Sequence, residues 1–505
     1  MTINNTGSEK AGTREIPVTT SSDAPATEKR FAPHSGFVIE DRPLDDYAKL
    51  RVAVIGAGIS GINTGILFPV KVPNIDLTIF EKNSDVGGTW LENIYPGVRC
   101  DIPAHVYQST FAPNTQWSQE YAEGAEIGKY WQDVAKKYDV YKYIKFQKRI
   151  VRATWDPEAS EWVLQIKDLK SGETQEQRFD VLVPAIGVFN AWKLPDYPGI
   201  NEYEGHIRHS SNWDPNFDPA GKTIAVIGNG ASGLQITPPL QKVAKHLDVY
   251  VRNPTWIAPS FGQEKRSETP VLYTEERKQA FQDPKTYHSF RKPFESQFWR
   301  NFHRIFKDSK GNNEAKEAFT KLMTSQLEKK PQSFWRKYFR ISSRSADDRR
   351  LAPDTLLLSP RITSPYAYFG IAPPLFPNLF FSTGPNCFGL SGTFPFTIET
   401  VVTYIAKVLR KIQTNGLKTI VVSEGAADDF IEYIDRFFER TVLSGNCSSW
   451  YNGGKAGQRI HGPWPGSASH ATKVRVEPRW EDFEYTYKSK QKNRFAFFWE
   501  WVDDE

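Results

Sequence analysis

The sequence predicts an α/β protein made of two doubly wound, Rossmann-like dinucleotide-binding domains with a helical insertion. Three observations predict it. Two glycine-rich turns each follow an apolar strand and open a helix. About twenty residues beyond each turn a second strand ends in a charged side chain, acidic after the first turn and basic after the second. Later, residues 264–345 are charged and aromatic with helical spacing.

The first turn, Gly56-Ala57-Gly58-Ile59-Ser60-Gly61, follows Val52-Ala53-Val54-Ile55. The second, Gly228-Asn229-Gly230-Ala231-Ser232-Gly233, follows Thr223-Ile224-Ala225-Val226-Ile227. In such a turn the first glycine makes the bend and the second lets backbone approach a pyrophosphate. The third lets the helix pack close to the sheet, with the anion at the helix N-terminus. The strand Leu77-Thr78-Ile79-Phe80 ends in Glu81. A carboxylate there accepts from ribose hydroxyls and repels a 2′-phosphate, which suits FAD or NAD. The strand Val249-Tyr250-Val251 ends in Arg252. A guanidinium there attracts a 2′-phosphate, which suits NADPH. The plainer reading of either charge is a solvated strand end; the offset shared by two turns weighs against it.

Residues 1–40 are rich in Thr, Ser, Glu, Ala and Lys and are expected to form a disordered leader. Residues 41–195 read as the first part of an FAD-binding domain, closing on the apolar strand Phe179-Asp180-Val181-Leu182-Val183-Pro184 and the turn at Gly187. Residues 196–355 read as the NADPH-binding domain, with the helical insertion at about 264–345 inside it. Residues 366–505 return to the FAD-binding domain through Leu379-Phe380-Phe381 and a helix over 398–411, and add a C-terminal extension that holds an aromatic cluster at 495–501.

With 505 residues, 39% of them hydrophobic and 14% aromatic, a sizeable core is available. The 64 basic and 59 acidic residues leave a net charge of +5 without a long basic run, which argues against a nucleic-acid partner and suits anionic cofactors. Cys100, Cys387 and Cys447 are far apart and form no metal or disulfide pattern, so a reducing compartment and no metal are expected. No apolar run is long enough to cross a bilayer, and the N-terminus lacks a secretory core. A cytoplasmic location is the expectation; oligomeric state is not legible.

Beyond the first turn lies Gly87-Gly88-Thr89-Trp90, then Tyr95-Pro96-Gly97-Val98-Arg99-Cys100-Asp101. Between the two nucleotide units lies Tyr203-Glu204-Gly205-His206-Ile207-Arg208-His209-Ser210-Ser211-Asn212-Trp213-Asp214. With these strings the chain resembles a class B flavoprotein monooxygenase of the Baeyer–Villiger type. The longer string resembles that family's F-x-G-x-x-x-H-x-x-x-W-[PD] signature, with Tyr203 in place of Phe, and the other its G-G-x-W and Y-P-G-x-x-x-D signature. The resemblance covers about residues 40–485, includes Trp450-Tyr451 and Trp464-Pro465-Gly466-Ser467, and is similar in flavour to fungal enzymes that tailor polyketides.

The resemblance implies that Gly56, Gly58, Ser60, Gly61 and Glu81 bind FAD, with Gly88, Thr89 and Trp90 close to the flavin and Asp101 beside the same site. It implies that Gly228, Gly230, Ser232, Gly233 and Arg252 bind NADPH. It makes Asp101 the acid that orients an active-site arginine, Arg350 the candidate for that arginine, Arg349 a second 2′-phosphate contact, and His209 the signature histidine of the linker. The chemistry suits these residue types. A ketone is attacked by an oxygen nucleophile that must stay anionic, and a fixed cation steadies the negative charge of the tetrahedral adduct. Arginine does not lose its proton, and a carboxylate holds it in place by a bidentate pair. Each residue also has a plainer reading. Asp101 follows Arg99 and would serve as its salt-bridge partner, His209 as a satisfied boundary histidine, Trp90 and Trp213 as core aromatics, and Arg350 as part of the solvated charged run 344–350.

The chain departs from the family's pattern. Asp347-Asp348 stand where the family has Gly-Cys, Ile186 stands where it has Thr, and a segment with a strand pair and a return strand is missing after Pro353. The loss of an internal strand would leave a neighbour's backbone groups unpaired. The expected activity is FAD- and NADPH-dependent insertion of one oxygen atom of O2 beside a ketone carbonyl, giving an ester or lactone. The expected substrate is a bulky apolar metabolite such as a polyketide, lined or covered by Phe290, Phe294, Phe298, Trp299 and Phe302 of the insertion, for which helix core is an equal alternative. The other readings are oxygenation of nitrogen or sulfur, and a truncated flavoprotein without turnover.

Overall fold

In the computed structural model, which describes residues 47–251, 270–327, 366–445 and 449–489, the first glycine turn lies in the middle of a parallel sheet. Every described residue except Ser489 belongs to one compact unit, residues 45–488. The expected leader, Cys447, Arg252, Arg349, Arg350 and the aromatic cluster at 495–501 lie outside the described residues.

β1 (Leu50–Ile55) enters the turn and α1 (Ile59–Lys71) leaves it. β2 (Ile75–Phe80), α2 (Thr89–Glu92), α3 (Gly124–Lys137) and β3 (Ile144–Lys145) follow. An antiparallel sheet of β4 (Lys148–Asp156), β5 (Glu161–Asp168) and β6 (Thr174–Phe179) then precedes β7 (Val181–Pro184). The parallel sheet runs β3-β2-β1-β7. Val52, Ala53 and Val54 are fully buried because β1 has a neighbour on each side and layers above and below, as a continuous apolar run requires. Asn63 and Thr64, polar inside α1, return their donors to the carbonyls of Ile59 and Ser60.

The second nucleotide-binding segment repeats this entry: β8 (Thr223–Ile227), α4 (Ala231–Gln241) and β9 (His246–Tyr250), with β8 and β9 parallel. Here the two segments part. β8 has β9 as its one neighbour among the described residues. Its residues alternate between exposed and half-buried, and Ile227 is 60% exposed. A Cβ on Gly56 would strike the Ala185 carbonyl beyond β7 at 2.7 Å, whereas one on Gly228 would meet nothing within 4 Å. The position that β7 fills beside β1 has no counterpart beside β8 among the described residues, and the stretch after Pro353 up to residue 365 lies outside them.

The insertion supplies α5 (Glu275–Ala280), α6 (Pro284–Arg300) and α7 (Lys310–Leu327) within its described part. It packs against the first nucleotide-binding segment. Glu120 donates to the Val271 carbonyl and Tyr273 to that of Ser118, and Thr274 then caps α5. Tyr273, Phe281, Tyr287 and Phe290 surround the fully buried ring of His105. Of the aromatic side chains expected over a substrate, three have described contacts elsewhere. Phe290 is part of this core, Phe294 packs 5.3 Å from it, and Phe302 packs on Phe306. The side chains of Phe298 and Trp299 lie outside the described residues.

The return begins where Leu379 bridges Leu182 of β7 in parallel. β10 (Phe388–Leu390), α8 (Phe394–Thr414), β11 (Leu417–Val422), α9 (Glu424–Glu439), β12 (Pro463–Ser467), α10 (Ala468–Val474) and β13 (Phe483–Tyr487) complete the body. α8 packs along α1, and its buried Glu399 accepts from the Ser109 hydroxyl and the Thr110 amide, which fastens the 101–121 loop to the sheet's helical layer. No helix among the described residues is long and apolar enough to cross a membrane.

Candidate active site and nucleotide cradles

Both glycine turns open on one cleft of about 4090 Å³, several times the size of a site for a single small ligand. The two cradles have nearly the same backbone. Gly56 and Gly228 have φ of +106° and +108°, which glycine alone adopts without strain. A Cβ on Gly61 would lie 2.0 Å from the Gly56 carbonyl, and one on Gly233 would lie 2.2 Å from that of Gly228. No side chain caps α1 at Gly58 or α4 at Gly230, so the first amides of both helices are left for a ligand. Uncapped helix starts on two such glycine turns fit the pyrophosphates of two dinucleotides.

Glu81 is buried at the end of β2 beside the first turn. One carboxylate oxygen accepts from the Ala57 amide at 2.7 Å and the other from the Asn83 amide at 2.8 Å. Burial raises its pKa, and the two backbone bonds oppose that shift. Its partners hold the glycine turn itself, a task that spacing alone does not reveal. Gly88, with φ +54°, faces Gly58 so closely that a Cβ on it would lie 2.9 Å from the Gly58 Cα. Ser60 is buried in the first turn of α1, Thr89 is exposed at the start of α2, and Trp90 packs edge-on against Tyr107 at 5.7 Å. Thr89, Trp90 and Tyr107 all line the cleft.

Asp101 lines the cleft and is exposed to it. Arg99 turns to Glu123 at 3.5 Å, and among the described residues Asp101 has no salt bridge. The reading of Asp101 as the partner of Arg99 is therefore replaced by one in which its carboxylate faces the cavity. Burial raises the pKa of the Tyr451 phenol, and the Asp101 charge adds to that shift. In the linker, His209 accepts from the Ser211 amide through Nδ1 at 3.1 Å and stacks on Trp192 at 5.4 Å. Burial lowers its pKa. Those contacts anchor the ring within the linker. Ser232 is half-buried in the first turn of α4.

A family model described as flavin-binding monooxygenase-like matches residues 49–274. The FAD-binding monooxygenase tazF of Aspergillus terreus is 31% identical, over 89% of this chain and 91% of that protein. The chain belongs to the FAD-binding monooxygenase family. A Baeyer–Villiger monooxygenase of Pseudomonas aeruginosa is 26% identical over 82% of this chain and 88% of its own length. The crystal structure of cyclohexanone monooxygenase from Rhodococcus sp. Phi1 bound to NADP+ shares the fold, with a TM-score of 0.66 and 19% identity over 87% of this chain and all of that one. The alignment with the Aspergillus protein extends over 517 positions yet draws on 89% of the 505 residues here, so this family member lacks residues that its relative carries.

Proposed function

We propose that this protein is an FAD- and NADPH-dependent monooxygenase of the Baeyer–Villiger type, which converts a ketone, O2, NADPH and a proton into an ester or lactone, NADP+ and water. Its substrate is a bulky apolar ketone such as a polyketide. The observation that carries the reading is the pair of matching, uncapped glycine cradles on one cleft, with the Asp101 carboxylate facing the same space. When bound, FAD supplies the redox chemistry, taking a hydride from NADPH and activating O2.

In this reading Gly56, Gly58, Ser60, Gly61 and Glu81 hold FAD by its pyrophosphate and ribose, with Gly88, Thr89 and Trp90 alongside. Gly228, Gly230, Ser232 and Gly233 hold NADPH, with Arg252 and Arg349 on its 2′-phosphate. Asp101 orients the Arg350 guanidinium, which steadies the negative charge that develops on the former carbonyl oxygen. Phe388, Phe394 and Trp450 line the cleft and offer apolar surface to the substrate. The deciding experiment supplies purified, FAD-loaded protein with NADPH and a panel of compact and polycyclic ketones. Ester or lactone from at least one ketone supports the reading; none from any overturns it. A second reading, a flavoprotein without turnover, draws on the residues that this chain lacks relative to the Aspergillus protein. It requires a yellow protein whose NADPH consumption does not respond to any ketone.

A further inference from the structure

Gln235 lies one turn inside α4, and its side chain makes three hydrogen bonds to the segment that precedes Asp101. Its Oε1 accepts from the Tyr95 hydroxyl at 2.9 Å and from the Arg99 amide at 3.4 Å, and its Nε2 donates to the Arg99 carbonyl at 2.9 Å. The backbones meet at the same place. Gly97 has φ +83°, and a Cβ on it would lie 2.4 Å from the Gln235 carbonyl. Around this contact Tyr95, Ile236 and Leu240 form a small core of their own, joined by Trp213 and Val226. Tyr95 follows α2, which starts at the flavin-side glycine Gly88, and Asp101 stands two residues beyond Arg99. One amide thus touches the chain that leaves one cradle and the chain that leads to the acid, from a helix whose N-terminus forms the other cradle.

We propose that Gln235 is a positioning residue that sets the register of the second nucleotide cradle against the Tyr95–Asp101 segment. Through that register it places the hydride donor against its acceptor. This rests on the reading of the second cradle as the NADPH site. Transfer between two held groups depends steeply on alignment, and an error of about 1 Å costs on the order of a hundredfold in rate. A residue that sets alignment without touching the nucleotide should change the rate of transfer and leave nucleotide affinity alone.

The test compares wild type, Gln235→Leu and Tyr95→Phe, all FAD-loaded. Anaerobic stopped-flow mixing with NADPH gives a limiting rate of flavin bleaching and a Kd from one titration. Gln235→Leu should slow the limiting rate about tenfold or more with its Kd within about threefold and its FAD content and Tm preserved; Tyr95→Phe, which removes one of three bonds, should fall between. Unchanged limiting rates overturn the proposal, as does a rate that falls only in step with Kd and FAD content. Hydrogen exchange of peptides spanning 95–101 and 231–241 supplies a readout independent of turnover. Both should lose protection in Gln235→Leu without any nucleotide present, and unchanged protection overturns the latch. A wild type that NADPH does not reduce counts against the NADPH reading, while the exchange arm still decides the latch.

Discussion

Glu81 joins the glycine turn to the end of β2 by accepting from Ala57 and Asn83, each through its own oxygen. In Glu81→Gln one of those oxygens becomes an amide nitrogen, which faces a backbone N–H and leaves that buried donor unpaired. The cost is about 1–3 kcal/mol, concentrated in the turn that the pyrophosphate must approach. Titration of the apoprotein with FAD, followed by flavin fluorescence, should show affinity weakened by about ten- to a hundredfold, since 1.4 kcal/mol is a factor of ten. An unchanged Kd would mean that the carboxylate is incidental to the cradle. Glu81 was visible in the sequence because its distance from Gly61 is fixed by the length of one helix and one strand. Its bond to Ala57 was not, because that depends on the path of the turn at Gly56. Asp101 was visible through its signature, but its release from Arg99 depends on Glu123, a residue from another stretch of loop.

At the scale of elements, His105 is the joint between the 101–121 loop and helices α5 and α6. Its Nδ1 lies 3.0 Å from the Tyr287 hydroxyl, its Nε2 is buried without a partner, and four aromatic rings surround it. Burial, helped by the charges of Arg277 and Arg291, lowers its pKa from 6.5 to about 3. The unfolded chain takes up this proton as pH falls through 6.5, and the folded chain does not. Stability from this site is therefore present above pH 6.5 and declines by about 1.4 kcal/mol per pH unit toward pH 3. Denaturant titrations of wild type and His105→Phe between pH 7 and pH 4 should show a shallower acid decline in the variant, by roughly one proton's worth of slope. Parallel slopes would show that His105 titrates alike in both states. None of this was legible beforehand. A lone histidine in a loop carries no periodicity, and its cage comes from residues about 170 positions later. The helices of the insertion were legible from spacing, but the surface they cover was not. That is a question of tertiary packing, and the first nucleotide-binding segment proved the better partner.

Over the whole molecule, the repeat of strand, turn and helix was readable because every part of it is local. The twin φ values at Gly56 and Gly228 show the same solution used twice. What differs is long-range. β1 receives β7 from more than a hundred residues away, while β8 receives no such strand among the described residues. In the proposed function the two cradles serve one redox centre, the first holding FAD and the second a phosphorylated nicotinamide nucleotide. The most direct measurement is the visible spectrum of the FAD-reconstituted protein, mixed anaerobically with NADPH and, separately, with NADH. The flavin bands should bleach fast with NADPH and at least about tenfold more slowly with NADH, since the charge-assisted bonds to the 2′-phosphate are lost. A protein that takes up no flavin, or whose flavin neither nucleotide bleaches, would contradict the proposed function.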